Sequence, residues 1–179
     1  MTISLTGFMG CGKSSVGREL SALLCWSYAD LDDVIEKKAG RSIPEIFASE
    51  GEAVFRQMEL DSLKELVSCP ADPNQGDMIL SLGGGTVMTQ ECAEIIHRRT
   101  LCIYLRASVD TLVSHLEGEA GGRPMLNTDI SLRKRITLLM EQRSAAYEGT
   151  AHHIIDTEGK TIAEIAQEIA TFVKNTRTI

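Results

Sequence analysis

The stretch Gly7-Phe8-Met9-Gly10-Cys11-Gly12-Lys13-Ser14 fits the spacing GxxxxGK[ST]. Residue types in that order suit the binding of a polyphosphate. Glycines let backbone N–H groups turn inward around phosphate oxygens, and a helix that follows adds the partial positive charge of its N-terminus. Gly10, Cys11, Gly12, Lys13, Ser14 and Ser15 are then the candidate nucleotide-binding residues. Lys13 would reach the β- and γ-phosphates, and the Ser14 hydroxyl would ligate Mg²⁺. The motif points to ATP or GTP and leaves the second substrate open.

Many phosphate-loop proteins place a Mg²⁺-associated Asp at the end of an apolar strand. The most apolar strand here, Met78 to Leu82, runs into Gly83-Gly84-Gly85 instead. The acid must come from elsewhere, and Asp30, Asp32 and Asp33 stand at the end of a second short strand. In an extended segment Asp30 and Asp32 share one side. One could serve the metal shell while the other faces an acceptor hydroxyl; equally, Asp32 or Asp33 could cap the next helix. Three arginines suit an anionic acceptor or a phosphoryl group in transfer: Arg56, Arg123 and Arg143. Taken singly, each also fits a solvated surface arginine. Three glycines after a buried strand lie at the carboxyl edge of the sheet, where open α/β folds bind ligands.

The elements that would hold these groups are legible as alternating short apolar runs and longer helical patterns. Strands are expected at Ile3–Leu5, Tyr28–Leu31, Met78–Leu82, Leu101–Leu105 and His153–Asp156. Helices are expected at Ser14–Leu24, across Asp33–Val67 with interruptions near Gly40 and Gly51, and at Gln90–Arg98, Val109–Leu116, Ser131–Tyr147 and Thr161–Val173. Cys69–Asp77 and Glu117–Asn127 read as loops. In the last helix Ile162, Ile165, Ala166, Ile169 and Val173 make one apolar face. Strands apolar on both faces and separated by helices indicate a parallel α/β sheet covered on both sides. The chain has 179 residues, 43% hydrophobic and only 4% aromatic, which suits a single domain with an aliphatic core. A net charge of −7 disfavours nucleic-acid and membrane-surface partners. Five scattered Cys without CxxC spacing suggest reduced thiols in the cytoplasm. Met1–Leu5 shows no signal-peptide pattern, and no apolar run approaches the ~20 residues of a membrane helix.

Taken together, these motifs resemble the shikimate kinase family, nearly from end to end. The phosphate loop, Asp30-Leu31-Asp32, the run Gly40-Arg41-Ser42-Ile43-Pro44-Glu45-Ile46-Phe47, Gly51-Glu52, Phe55-Arg56 with Glu59, Leu82-Gly83-Gly84-Gly85, Arg123-Pro124-Met125-Leu126, and Arg143 with Tyr147 carry the likeness. The resemblance implies phosphorylation of the shikimate 3-hydroxyl by ATP with Mg²⁺, within aromatic amino-acid biosynthesis, by a monomer. It implies a three-layer fold of the P-loop NTPase type, with a five-stranded parallel sheet in the order 2-3-1-4-5. A substrate-binding helical segment would span about 31–62 and a lid about 117–127. Lys13, Asp32 and Arg123 would be catalytic, with Arg123 also closing over the phosphates. Asp32, Arg56, Gly83, Gly84, Gly85, Arg143 and Phe47 would bind shikimate, the two arginines through its carboxylate. Ser14 and, through water, Asp30 would hold the metal. One departure concerns adenine: Ser114-His115 stands where the family often has an arginine, which leaves Lys160 as a substitute contact. A gluconate kinase would share Lys13 and Ser14 but not Asp32, Arg56, Gly84 and Arg143 as a set. A nucleotide sensor would need no acceptor site at all.

Overall fold

A computed structural model of the chain describes residues 1–68, 77–117 and 130–177. Its elements run β1 (Thr2–Thr6), α1 (Lys13–Leu24), β2 (Ser27–Asp30), α2 (Leu31–Ala39), α3 (Ile43–Ser68), β3 (Met78–Ser81), α4 (Gln90–Arg99), β4 (Leu101–Arg106), α5 (Val109–Leu116), α6 (Leu132–Thr150), β5 (His153–Asp156) and α7 (Ile162–Arg177), with a 3₁₀ turn at Thr86–Met88. All strands are parallel, in one five-stranded sheet of order β2-β3-β1-β4-β5. Helices cover it on both sides, with α1 packed on α7 and α4 and α6 packed on β4. The interior is aliphatic, as the low aromatic content requires. Ile3, Leu5, Ile79, Leu80, Ile103 and Leu105 from the three central strands are fully buried.

The interruptions expected at glycines have separate local causes. Gly40 ends α2 in the left-handed region at φ 65°. Gly51 sits within α3 at φ 81° and ψ 175°, so the helix is broken there and restarts toward Arg56. Both conformations cost a residue with a Cβ about 1–2 kcal/mol and cost glycine little. The second strand is one residue earlier than expected: Leu31 already belongs to α2, because Asp30 turns the chain by capping it, its Oδ1 accepting from the Asp32 N–H at 3.1 Å. The helix expected to end at Tyr147 continues to Thr150, with Arg143 inside it, and the Ala151 N–H still reaches the Tyr147 carbonyl at 3.1 Å. The loop expected at Cys69–Asp77 lies outside the described residues except for Asp77. The expected lid lies outside them except for Glu117, and Arg123 is therefore outside them too.

Register decides what the fold can position. Leu5 on β1 and Asp30 on β2 both pair with Ser81 on β3, so three neighbouring strands end at one height. The phosphate loop, the acids and the glycine triplet leave the sheet there side by side, at the carboxyl edge where open α/β sheets form crevices.

Gly17 ties this edge to the core. A Cβ at Gly17 would lie 2.6 Å from Tyr28 Cε2, and the Tyr28 hydroxyl donates to Asp30 Oδ2 at 3.2 Å. Gly17→Ala would push the ring and with it the Asp30 carboxylate. We expect a loss of about 1–3 kcal/mol in stability by the overpacking rule, read as a lower Tm, together with reduced turnover. Unchanged Tm and activity would show that the Tyr28–Asp30 link is slack.

Candidate active site

The phosphate loop is built around an open helix end. Gly12 caps α1 at φ 93° without a side-chain hydrogen bond, which leaves the first N–H groups of the helix without an intrahelical partner. They face a cavity of about 370 Å³ lined by Gly10, Gly12, Lys13, Ser14, Ser15, Asp30, Asp32 and Gly84, among others. A helix N-terminus with free N–H groups and a buried ammonium is an anion site. Lys13 is only 8% exposed, and its Nζ donates to the Gly7 and Phe8 carbonyls at 2.9 and 3.0 Å. Cys11 contributes differently from its neighbours: its N–H donates to the Phe8 carbonyl at 3.2 Å, and its thiol is buried beside Gly7.

Asp30 and Asp32 do come together, through a cap and not through extended alternation. The Ser14 hydroxyl donates to Asp30 Oδ2 at 2.8 Å. This hydroxyl–carboxylate pair on the cavity wall suits a hard, oxygen-preferring cation. Among the described residues no three His, Cys, Asp or Glu side chains converge on one point. Ser14 and Asp30 thus match the one or two protein oxygens that Mg²⁺ takes when phosphates and water complete its shell. Asp32 sits in the first turn of α2, where burial pushes its carboxyl up to about 6, with the Asp30 and Glu59 charges adding and Lys13 opposing. An unperturbed aspartate is a feeble base at neutral pH; this one is much nearer to the useful range.

The glycine triplet is the seam between three walls. A Cβ at Gly83 would come within 2.8 Å of Asp32 Oδ1, at Gly84 within 3.1 Å of the Met9 backbone nitrogen, and at Gly85 within 2.7 Å of an Arg56 Nη. Any side chain there would displace the acid, the phosphate loop or the arginine. Beyond the triplet lies a second cavity of about 410 Å³, lined by Glu52, Arg56, Met88, Thr89, Gln142 and Arg143. Its two arginines differ. Arg56 donates to Glu59 at 2.8 Å and to Glu52 at 3.2 Å. Glu59 is itself 1% exposed and also accepts from the Thr86 hydroxyl at 2.7 Å. Arg143 is 7% exposed, donates to the Gly84 carbonyl at 3.3 Å, lies over the Phe8 ring, and has no carboxylate partner among the described residues. A buried guanidinium without an acid is costly unless a ligand supplies one.

The sequence matches the family model "Shikimate kinase" over residues 9–174. A shikimate kinase of Thermus thermophilus is 40% identical over 167 residues, covering 93% of this chain and 86% of that protein. The chain belongs to the shikimate kinase family. The structure of the Acinetobacter baumannii shikimate kinase in complex with shikimate superposes with a TM-score of 0.89 at 32% identity, covering 98% of this chain and 93% of that one. A gluconokinase from Sinorhizobium meliloti, at TM-score 0.57 and 14% identity with 99% and 95% coverage, shares the fold alone.

Within this shikimate kinase family member, Lys13, Ser14, Asp30, Asp32 and Gly84 meet at the first cavity and Arg56 and Arg143 at the second, with Gly83 and Gly85 between. Phe47 lines neither cavity and packs on Phe55, ring centroids 4.8 Å apart. Lys160 is turned away in an ion pair with Glu168 at 2.6 Å. Instead His115, bonded through Nδ1 to the Gly10 carbonyl at 2.8 Å, and Ile162 line the first cavity. Glu59 is legible only as part of the family resemblance, beside Arg56; nothing in the sequence marks its burial.

Asp32→Asn separates chemistry from stability. Because the folded-state value lies above the ordinary 3.8, ionised Asp32 costs stability at neutral pH, and that cost is absent below about pH 4. The variant should lose most turnover yet gain about 1–3 kcal/mol at pH 7, with no gain at pH 4. Wild-type kcat/KM should fall below about pH 6. A variant with wild-type turnover, or one less stable at pH 7, would contradict this account.

Proposed function

We propose that this protein phosphorylates the 3-hydroxyl of shikimate with ATP, giving shikimate 3-phosphate and ADP for aromatic amino-acid biosynthesis. The observation that carries the reading beyond the family match is Arg143: a buried cation with no acid partner among the described residues, lining the second cavity and bonded to the carbonyl of Gly84, which lines the first. A small acid with one carboxylate and several hydroxyls fits it. Its carboxylate would meet Arg143 and the spare N–H groups of Arg56, and its hydroxyls would lie along Gly83–Gly85 toward Asp32.

The transfer then needs little covalent help. Its transition state is loose, so positioning and charge stabilisation dominate. Asp32 orients the attacking hydroxyl and accepts its proton late, at a carboxylate whose raised affinity for a proton suits the task. Lys13 leaves its loop carbonyls for the phosphate oxygens and, with the open end of α1, stabilises charge on the group in transfer. Mg²⁺ held by Ser14 and, through water, Asp30 would neutralise charge between the outer phosphates. Arg123 is assigned to the phosphates, and Phe47, which lines neither cavity, to the packing on Phe55 beside Arg56. His115 and Ile162 are assigned to the nucleotide side in place of Lys160. The free thiols of Cys11, Cys25, Cys92 and Cys102 accord with a reducing cytoplasm, and no described helix is long and apolar enough to cross a membrane. We expect a monomer.

A coupled ADP-release assay with shikimate, gluconate and nucleoside monophosphates tests the reading; turnover with gluconate and none with shikimate overturns it. The arginines should respond unequally. Arg143→Lys should weaken shikimate binding about 10- to 100-fold, the worth of a charge-assisted hydrogen bond. Arg56→Lys should cost less, about 3- to 10-fold, because Glu52 and Glu59 already compensate that charge. A neutral amide analogue of shikimate should bind both variants and wild type alike. Equal losses for the two variants would refute the asymmetry.

Arg123→Ala should lower kcat at least about 100-fold while moving the shikimate KM little, as for an interaction made only in the transition state. A pure KM effect would instead place Arg123 in ground-state binding.

A further inference from the structure

We propose that Tyr147 is a positioning residue of the acceptor site: by holding the Gly84 carbonyl it releases Arg143 to take a carboxylate. The inference rests on the acceptor reading above. Arg143 and Tyr147 stand one turn apart on α6, and both donate to the same oxygen, the carbonyl of Gly84. The two bonds are unequal. Arg143 reaches it at 3.3 Å, near the long limit, whereas the tyrosine bond is much the shorter.

A carbonyl in this setting must keep a donor, because leaving it unpaired costs as much as the bond is worth or more. If Arg143 were its sole donor, every carboxylate that drew the guanidinium away would strand the carbonyl, and affinity would fall by that amount. With Tyr147 in place the guanidinium can leave without stranding the carbonyl. The hydroxyl is a constant donor: Tyr147 is fully buried, and burial holds its phenol far above the ordinary value, against the opposing charge of Arg143. Its ring is fixed by Tyr104 of β4, with centroids 5.2 Å apart and planes 27° apart. The same bond orients the Gly84 peptide, which lies so close to the phosphate loop that an added Cβ would stand 3.1 Å from the Met9 backbone nitrogen. Tyr147 touches neither cavity, so its effect passes through Gly84 and Arg143.

The test is a double-mutant cycle read by calorimetric titration of the intact protein with shikimate and, separately, with ADP. Tyr147→Phe keeps ring and volume, and a melting curve checks its fold. It should weaken shikimate binding about 3- to 10-fold, the worth of one neutral hydrogen bond, and leave ADP binding within about 2-fold. In an Arg143→Ala background the same substitution should change shikimate binding less than about 2-fold, since no guanidinium is left to release. A merely structural tyrosine would act equally in both backgrounds, or on both ligands, and either result overturns the proposal. Wild type that binds shikimate beside a Tyr147→Phe that binds it equally well also overturns it, while the functional reading stands. Wild type that does not bind shikimate overturns both.

Discussion

The pairing of Leu5, Ser81 and Asp30 across β1, β3 and β2 sets the height at which three loops leave the sheet. A slip of one residue in any strand would turn its side chains to the opposite face and move its loop by ~3 Å. Such a shift would part Ser14 from Asp30, now 2.8 Å apart, and Gly84 from the phosphate loop. β1 and β3 resist that slip, because Leu5, Thr6, Leu80 and Ser81 near the edge are buried, and β2, half-buried at the margin of the sheet, is held in register by its pairing with β3. The precision of the site therefore comes from the least polar part of the molecule.

Charge is distributed around this edge with economy. The chain is acidic overall, at −7, yet it places an ammonium in one cavity and two guanidinium groups in another on the far side of the glycine triplet. Each is restrained differently: Lys13 by loop carbonyls, Arg56 by two carboxylates, Arg143 by a carbonyl and an aromatic face. Asp32 experiences the other half of the arrangement, because burial and two neighbouring acids make its ionised state expensive. Positive and negative groups are thus both held away from full compensation, which is how a site retains free energy for its ligands.

How much of this the sequence discloses depends on the range of the interaction. The phosphate loop is local and ordered, so its eight residues announce themselves. The sheet order was legible only through family resemblance; periodicity established strands and helices but not who pairs with whom. Asp30 shows the limit of local reasoning. Alternation places it beside Asp32, and it does end there, but as a cap, because the strand stops one residue sooner than its apolar run suggests. Arg56 and Arg143 look equivalent in one dimension. Their difference is that Glu59 is buried beside one and no carboxylate is near the other among the described residues, a fact of packing across α3 and α6. Lys160 misleads for a similar reason: a glycine-flanked lysine reads as available, and Glu168 on the next helix takes it.

Lys13 shows what it means for a binding group to be occupied by its own protein. Two carbonyls already solvate the ammonium, so an incoming anion gains only the difference between its own attraction and theirs. Chloride or bicarbonate, with a single diffuse charge, recovers little from that exchange. A chain of phosphates brings several charges at once and also reaches the open end of α1. In the proposed role the loop would thus favour polyvalent over monovalent anions before any base or sugar is recognised.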